Sequence, residues 1–246
     1  VQKGVFTYCQ FRENDKCPPW ELRAKKIAHN SSKKTVYYDK VLLKIYDFPI
    51  FYFPRFSHPD PTVDRRSGFL IPTFSNSTNM GAGIDLPYFW NIAKDRDITF
   101  TPRFHSSNEP LYLAEYRQSF EKSSLIVDTG YTEGYKKNTN SKTPGARNHI
   151  FTRFYKSLIE EEDSSSDIEI NLQHVSNSTY PKINKLQTSL VDYLDNTLKN
   201  SVNYSYQKKD LFFNTKISAF ENLSKTGNER FEFIYPEATL EKNLLM

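Results

Sequence analysis

A chain of 246 residues with 37% hydrophobic residues and a mean hydropathy of -0.67 can bury a core but is too polar for an ordinary compact enzyme. Its 33 Lys and Arg are interspersed with 29 Asp and Glu, for a net charge of +4, so there is no basic stripe for nucleic acid. No apolar run suits a transmembrane helix, but the 16 Tyr and 19 Phe favour an all-β fold, in which strands showing alternate residues to lipid average out as mildly polar.

The sequence opens at Val1 without an initiator Met or leader and stops at Met246; both ends read as cuts through a longer chain. Cys9 and Cys17 are the only cysteines, with no His close enough to complete a zinc site, and a disulfide in an oxidising compartment is expected over free thiols. Strands are expected at residues 4–8, 20–29, 35–46 and 49–53. Within the second of these, Trp20, Leu22 and Ala24 alternate with Glu21, Arg23 and Lys25, giving one buried and one wet face. An aromatic run over 48–56 is closed by His58-Pro-Asp-Pro-Thr-Val-Asp-Arg-Arg66, a stretch that breaks strand pairing and divides the chain into domains 1–66 and 67–246.

From Ser67 onward the pattern is a series of alternating segments of about 9–11 residues, the length a tilted strand needs to cross a bilayer. Over residues 83–92, Ile84, Leu86, Tyr88, Trp90 and Ile92 share one face, against Gly83, Asp85, Pro87, Phe89 and Asn91. Over 97–104, Ile98, Phe100, Pro102 and Phe104 oppose Asp97, Thr99, Thr101 and Arg103. In a barrel the first face meets lipid and the second a wet lumen, which makes Asp85, Asn91, Asp97 and Arg103 the expected lumen-facing residues. The alternation returns at 167–173 and, more weakly, at 111–120, 125–131, 148–158, 186–194, 202–206, 211–220 and 230–240, for about ten strands after Gly68. Polar loops are expected at 134–145 and 160–166.

No catalytic, cofactor or metal site is expected. His29, His58, His105, His149 and His174 are scattered, there is no nucleophile motif, phosphate loop or CxxC, and Asp85 and Asp97 read as solvated acids rather than a catalytic pair. The Asn-x-Ser/Thr triplets at Asn30, Asn76, Asn177, Asn203 and Asn222 read as chance in an Asn- and Ser-rich chain.

Three ordered stretches carry a resemblance. Phe6-Thr-Tyr-Cys9 with Pro18-Pro-Trp-Glu-Leu-Arg-Ala-Lys-Lys-Ile27 is followed by Pro49-Ile-Phe-Tyr-Phe-Pro-Arg-Phe-Ser-His-Pro-Asp-Pro-Thr-Val-Asp-Arg-Arg-Ser-Gly-Phe-Leu-Ile-Pro72, then by Leu86-Pro-Tyr-Phe-Trp-Asn-Ile-Ala93 with Asp97-Ile-Thr-Phe-Thr-Pro-Arg103. Together, over roughly residues 5–104, they resemble a fragment of the LptD family, once named for organic solvent tolerance (OstA, Imp), in its alphaproteobacterial form. Beyond Arg117 the likeness thins: Val175-Ser-Asn-Ser-Thr-Tyr180 is similar to a family segment in which acids stand where Asn177 and Ser178 do here.

The resemblance implies the end of a periplasmic β-jelly roll (OstA-like) followed by the first strands of a large antiparallel transmembrane β-barrel in the outer membrane. It implies lipopolysaccharide transport, with lipid A passed from an LptA-type bridge, a lipoprotein plug LptE, and contact with outer-membrane lipid. Pro72 and Pro87 match the family's gate-weakening prolines and are expected inside the first two barrel strands. Cys9 matches a cysteine that pairs with a distant one near the barrel's carboxyl end, while pairing of Cys9 with Cys17 stays open. Val36, Val41, Leu43 and Ile45 are candidates for lipid A contact, and Arg65 and Arg66 for its phosphates or for the headgroup level. The competing readings are a generic outer-membrane porin and a soluble carbohydrate-binding β-sandwich.

Overall fold

The computed structural model describes residues 2–6, 20–45, 48–60, 62–63, 65–78, 80–133 and 145–242. Cys9 and Cys17, and residues 7–8 of the expected first strand, lie outside these. The fold is all-β and antiparallel, with two compact units, Val1–Arg66 and Ser67–Met246.

The first unit is a four-stranded sheet in chain order: β1 (Gln2–Phe6), β2 (Trp20–Asn30), β3 (Thr35–Ile45) and β4 (Phe48–Pro59). The β2–β3 turn is held by the Asn30 side chain, which accepts the Lys33 N–H at 2.9 Å. Ala24, Tyr38 and Val41 are buried here, with Leu22, Ile27, Val36, Phe53 and Phe56 packed on them.

Strict alternation cannot place Ala24 with Ile27, Tyr38 with Val41, or Phe53 with Phe56 on one face. Each pair brackets two successive exposed residues: Lys25 and Lys26, Asp39 and Lys40, Pro54 and Arg55. On β1, Lys3 takes a left-handed φ of 59°, and Lys40 one of 52°. These irregularities stack in register across all four strands and crease the sheet. Gly4 closes the inner side: a Cβ there would sit 2.1 Å from Cδ1 of Ile27.

The second unit is a twelve-stranded sheet: β5 (Gly68–Phe69), β6 (Thr73–Ser77), β7 (Gly81–Asp85), β8 (Tyr88–Ala93), β9 (Arg96–His105), β10 (Leu111–Ser119), β11 (Ser123–Thr132), β12 (Arg147–Glu161), β13 (Ser164–Val175), β14 (Thr197–Lys208), β15 (Leu211–Asn222) and β16 (Phe231–Lys242). From β8 onward sequential strands pair, β5 pairs with β8 and β6 with β7, and β7 and β8 both pair with β9 in one register, as two halves of an interrupted strand. Residues 83–92, expected as one strand, are therefore split at Leu86 and Pro87, because proline has no N–H for the ladder. Residues 160–166, expected as a loop, instead extend β12 and β13 around a two-residue turn at Glu162 and Asp163.

Residues 186–194 are not a strand either. They lie in a long connection, 176–196, containing one helical turn, α1 (Tyr180–Ile183), and an isolated bridge between Gln187 and Asp192. Tyr180, Leu186 and Val191 of this connection are buried with Leu111, Phe151, Val175, Leu198 and Leu223. Its apolar residues alternate like a strand's, but they are needed because the connection packs against the sheet.

The connections are unequal at the two ends of this sheet. At one end they are 94–95, 120–122, 162–163 and 209–210; at the other they are 78–80, 106–110, 133–146, 176–196 and 223–230.

Candidate functional site

The two faces of the second sheet differ in chemistry. Cross-strand pairing puts Asp97, Thr99, Thr101, Arg103 and His105 of β9 on one face with Glu115, Arg117, Asp128, His149, Arg153, Asn171, Glu169 and Ser201 of the following strands. The other face carries Trp90, Phe100, Tyr112, Ile150, Leu172, Val202 and Ile217, all exposed. Asp97 is 3% exposed whereas Trp90 is 55% exposed, the reverse of a soluble sheet's arrangement.

Several charges on this face are paired. Arg103 donates from Nε and Nη2 to both carboxylate oxygens of Asp85 at 2.9–3.1 Å, and from Nη1 to the Asn184 carbonyl at 2.7 Å. Arg117 holds Asp97 at 2.8–2.9 Å, and Ser189 donates to Glu115 at 2.8 Å. Asn91 is half-buried on the same face, its backbone N–H donating to Ser67 Oγ at 2.9 Å.

Sequence reasoning missed what fastens the 176–196 connection. His149 Nε2 lies 2.6 Å from Asp128 and its Nδ1 3.0 Å from the Tyr180 hydroxyl. Gly130, opposite His149, leaves room for the ring: a Cβ there would fall 2.6 Å from Cε1. Burial, reinforced by the nearby Asp128 carboxylate and opposed by Arg103, pushes the Tyr180 hydroxyl well above the usual tyrosine range. A protonated Tyr180 can donate to Nδ1 while Nε2–H donates to Asp128, which satisfies all three groups. None of the three is more than 6% exposed, so a substrate does not reach them and the relay acts as a fastener. Two neighbouring strands, β11 and β12, and one returning connection build it, and only the fold brings them together.

The prolines form a line. Pro72 falls between β5 and β6 and Pro87 between β7 and β8, so each interrupts its strand rather than sitting inside it. Leu70 N–H donates to the Pro87 carbonyl at 2.8 Å, and Leu86 N–H donates to the Pro102 carbonyl at 3.0 Å. In a regular antiparallel pair each of these residues would return a second bond. Pro87 and Pro102 have no N–H, so both adjoining ladders lose one bond at the same level. Sequence reading singled out two of these prolines; the signal for Pro102 was the equal spacing of 72, 87 and 102.

In the first unit Val41 is fully buried and Val36 packs beside it, while Leu43 is half-buried. Ile45 falls on β3, and its side chain is outside the described residues. Arg66 donates to Thr35 Oγ1, tying the chain after β4 to the start of β3, and Arg65 is exposed. Among the described residues no group of three His, Cys, Asp or Glu side chains is placed to hold a metal ion.

A sheet that gathers its charged residues on one face and leaves an aromatic face exposed, in a chain that also forms a small creased sheet, defines an all-β protein built from barrel-type strands. No protein-family model matches the chain. It is 29% identical over 214 residues to a Shewanella (strain ANA-3) protein named LPS-assembly protein LptD, covering 85% of this chain and 27% of the relative. Proteins of the same name from Nitrosococcus oceani and Aeromonas salmonicida are 34% identical over 119 residues (48% of this chain, 15% of the relative) and 24% identical over 230 residues (89% and 28%). Over most of its length the chain is similar to proteins that carry the name LPS-assembly protein LptD. It spans about a quarter of the length of the relatives it matches.

Proposed function

We propose that this chain is the part of an outer-membrane lipopolysaccharide translocon where a periplasmic lipid-carrying sheet feeds a transmembrane barrel. The observation that carries the reading is the inverted polarity of the second sheet, which suits lipid outside and a wet lumen inside. The relatives' printed name, LPS-assembly protein LptD, supplies the cargo. Short turns at one sheet end and long connections at the other match periplasmic and extracellular sides. In this reading residues 1–66 belong to the periplasm. There the buried apolar residues around Val41 would meet acyl chains of lipid A.

In this reading Asp85, Asn91, Asp97 and Arg103 line the lumen, where LptE is the expected plug, and an LptA-type bridge supplies the first sheet from below. Pro72 and Pro87 weaken the edge at which the barrel opens sideways to release lipopolysaccharide into the outer leaflet. Pro87→Ala supplies an N–H facing the Leu70 carbonyl; each restored ladder bond contributes about 0.5–1.5 kcal/mol against opening. Full-length protein carrying Pro72→Ala and Pro87→Ala should therefore deliver lipopolysaccharide to the cell surface several-fold more slowly. Delivery at the unaltered rate, from barrels present at normal abundance, would remove the gate from the mechanism.

A further inference from the structure

The crease in the first unit does more than bend the sheet. Its outer side carries two adjacent rows of residues set by the register. Gln2 faces Lys26 and Gly4 faces Ala24, so Lys3 lies opposite Lys25. Ala24 faces Val41 and Lys26 faces Asp39, so Lys25 lies opposite Lys40. The first row thus runs Lys3, Lys25, Lys40; the second runs Lys26, Asp39, Arg55. Together they line a groove of about 500 Å³ on this face.

Like charges directly opposite on neighbouring strands destabilise a sheet, and two of these lysines add left-handed backbone, which a side chain resists. Some basic groups elsewhere in the unit do have carboxylates: Arg23 and Lys44 share Glu21, and His29 meets Asp60. Among the described residues lining the groove the one carboxylate is Asp39, which stands 3.9 Å from Arg55 Nε, in the second row. The charge of the whole chain is skewed the same way. Residues 1–66 hold 13 of the 33 Lys and Arg but 7 of the 29 acids, a net +6, which leaves -2 for the remainder.

We propose that this lysine row is a binding site for phosphate groups. Ammonium groups on three strands present convergent donors to an anion's oxygens, and a bound phosphate removes the mutual repulsion that the empty row carries. The site is separate from the apolar residues around Val41, since the crease turns the two rows outward and those residues inward.

The test uses the full-length protein in detergent and three soluble probes that cannot enter an apolar interior: a bisphosphorylated glucosamine disaccharide without acyl chains, the unphosphorylated disaccharide, and inorganic pyrophosphate. Lys25→Gln with Lys40→Gln should weaken the bisphosphorylated sugar by about tenfold. Lys33→Gln with Lys34→Gln, the same charge loss at the β2–β3 turn, should leave it unchanged. The unphosphorylated sugar should not bind. The melting temperature of the groove variant should hold or rise, which separates lost binding from lost folding. A sugar bisphosphate that outbinds pyrophosphate identifies the head group as the ligand; equal affinity identifies phosphate alone, and either supports the site. Equal losses in the two double variants, or no binding to the unaltered protein, would overturn it.

Discussion

The two sheets are built from the same strand vocabulary and resolve it oppositely. In the first, apolar residues gather inward around Val41 and the charged residues of the crease face out. In the second, Asp97, Asp128 and His149 are buried and Trp90, Phe100 and Leu172 are exposed. Alternation alone fixes neither outcome, because a period of two separates the faces without saying which one water meets. Irregular positions also serve different ends. Stacked bulges bend the first sheet yet keep its ladders, whereas the aligned prolines of the second remove ladder bonds outright.

The sharpest way to break this contrast is to place a charge on the apolar face of each sheet. Val41→Asp buries an unpaired carboxylate in the first unit and should cost about 3–5 kcal/mol, in any solvent. Phe100→Arg in the second should cost about 2–4 kcal/mol in a bilayer, and close to nothing if that face meets water. Urea titrations of the full-length protein folded into vesicles would report both. A neutral Phe100→Arg would make the second unit a soluble sheet with an unusual surface.

A smaller effect is expected at the fastener of the 176–196 connection. Tyr180→Phe leaves a buried imidazole nitrogen without its partner, for a loss of about 1–3 kcal/mol, read most directly as faster amide exchange over residues 176–196. The pH dependence carries a sign. The folded-state hydroxyl is held above its ordinary value, so the stabilisation is complete below about pH 10, where the unfolded tyrosine is still neutral, and declines as pH rises and the unfolded chain loses that proton first. Tyr180→Phe should remove this alkaline decline. Its persistence at full size in the variant would assign it to other groups.

Much of this was legible in the sequence, and the omissions share a cause. Strand type and face assignment were readable wherever polar and apolar residues alternate, as at 97–104, because local periodicity encodes them. The break at Leu86 and Pro87 was masked by an alternation that runs unbroken through the proline, and 186–194 copied a strand because buried connections need apolar residues too. The Asp128, His149 and Tyr180 relay was invisible, since a buried polar trio depends on pairing between β11 and β12 and on the return of a loop, none of which is local. The crease was half visible. Val36 and Val41 were grouped although their spacing puts them on opposite faces of a regular strand, and the irregularity at Lys40 reconciles them.

The smallest expected effect concerns how the first sheet is closed where the chain leaves it. Asp60 accepts the Thr62 N–H at 2.8 Å and lies 2.5 Å from His29 Nε2, while its own N–H donates to the Lys34 carbonyl at 2.9 Å. The Thr62 hydrogen bonds first, and then the His29 imidazole, hold its carboxyl below the usual carboxylate range. A depressed carboxylate stabilises the fold above its unfolded value of about 4, and that contribution is lost as pH falls through the folded value. Asp60→Asn keeps the turn acceptor but drops the charge, so it should abolish this acid-side loss and lower stability at neutral pH by the same small amount. The bond from Arg66 to Thr35 is independent of Asp60 and should keep the chain seated on β3 in the variant. If amide exchange at residues 31–35 instead rose sharply at neutral pH, the ion pair with His29, rather than the hydrogen-bonded turn, would be what closes the sheet.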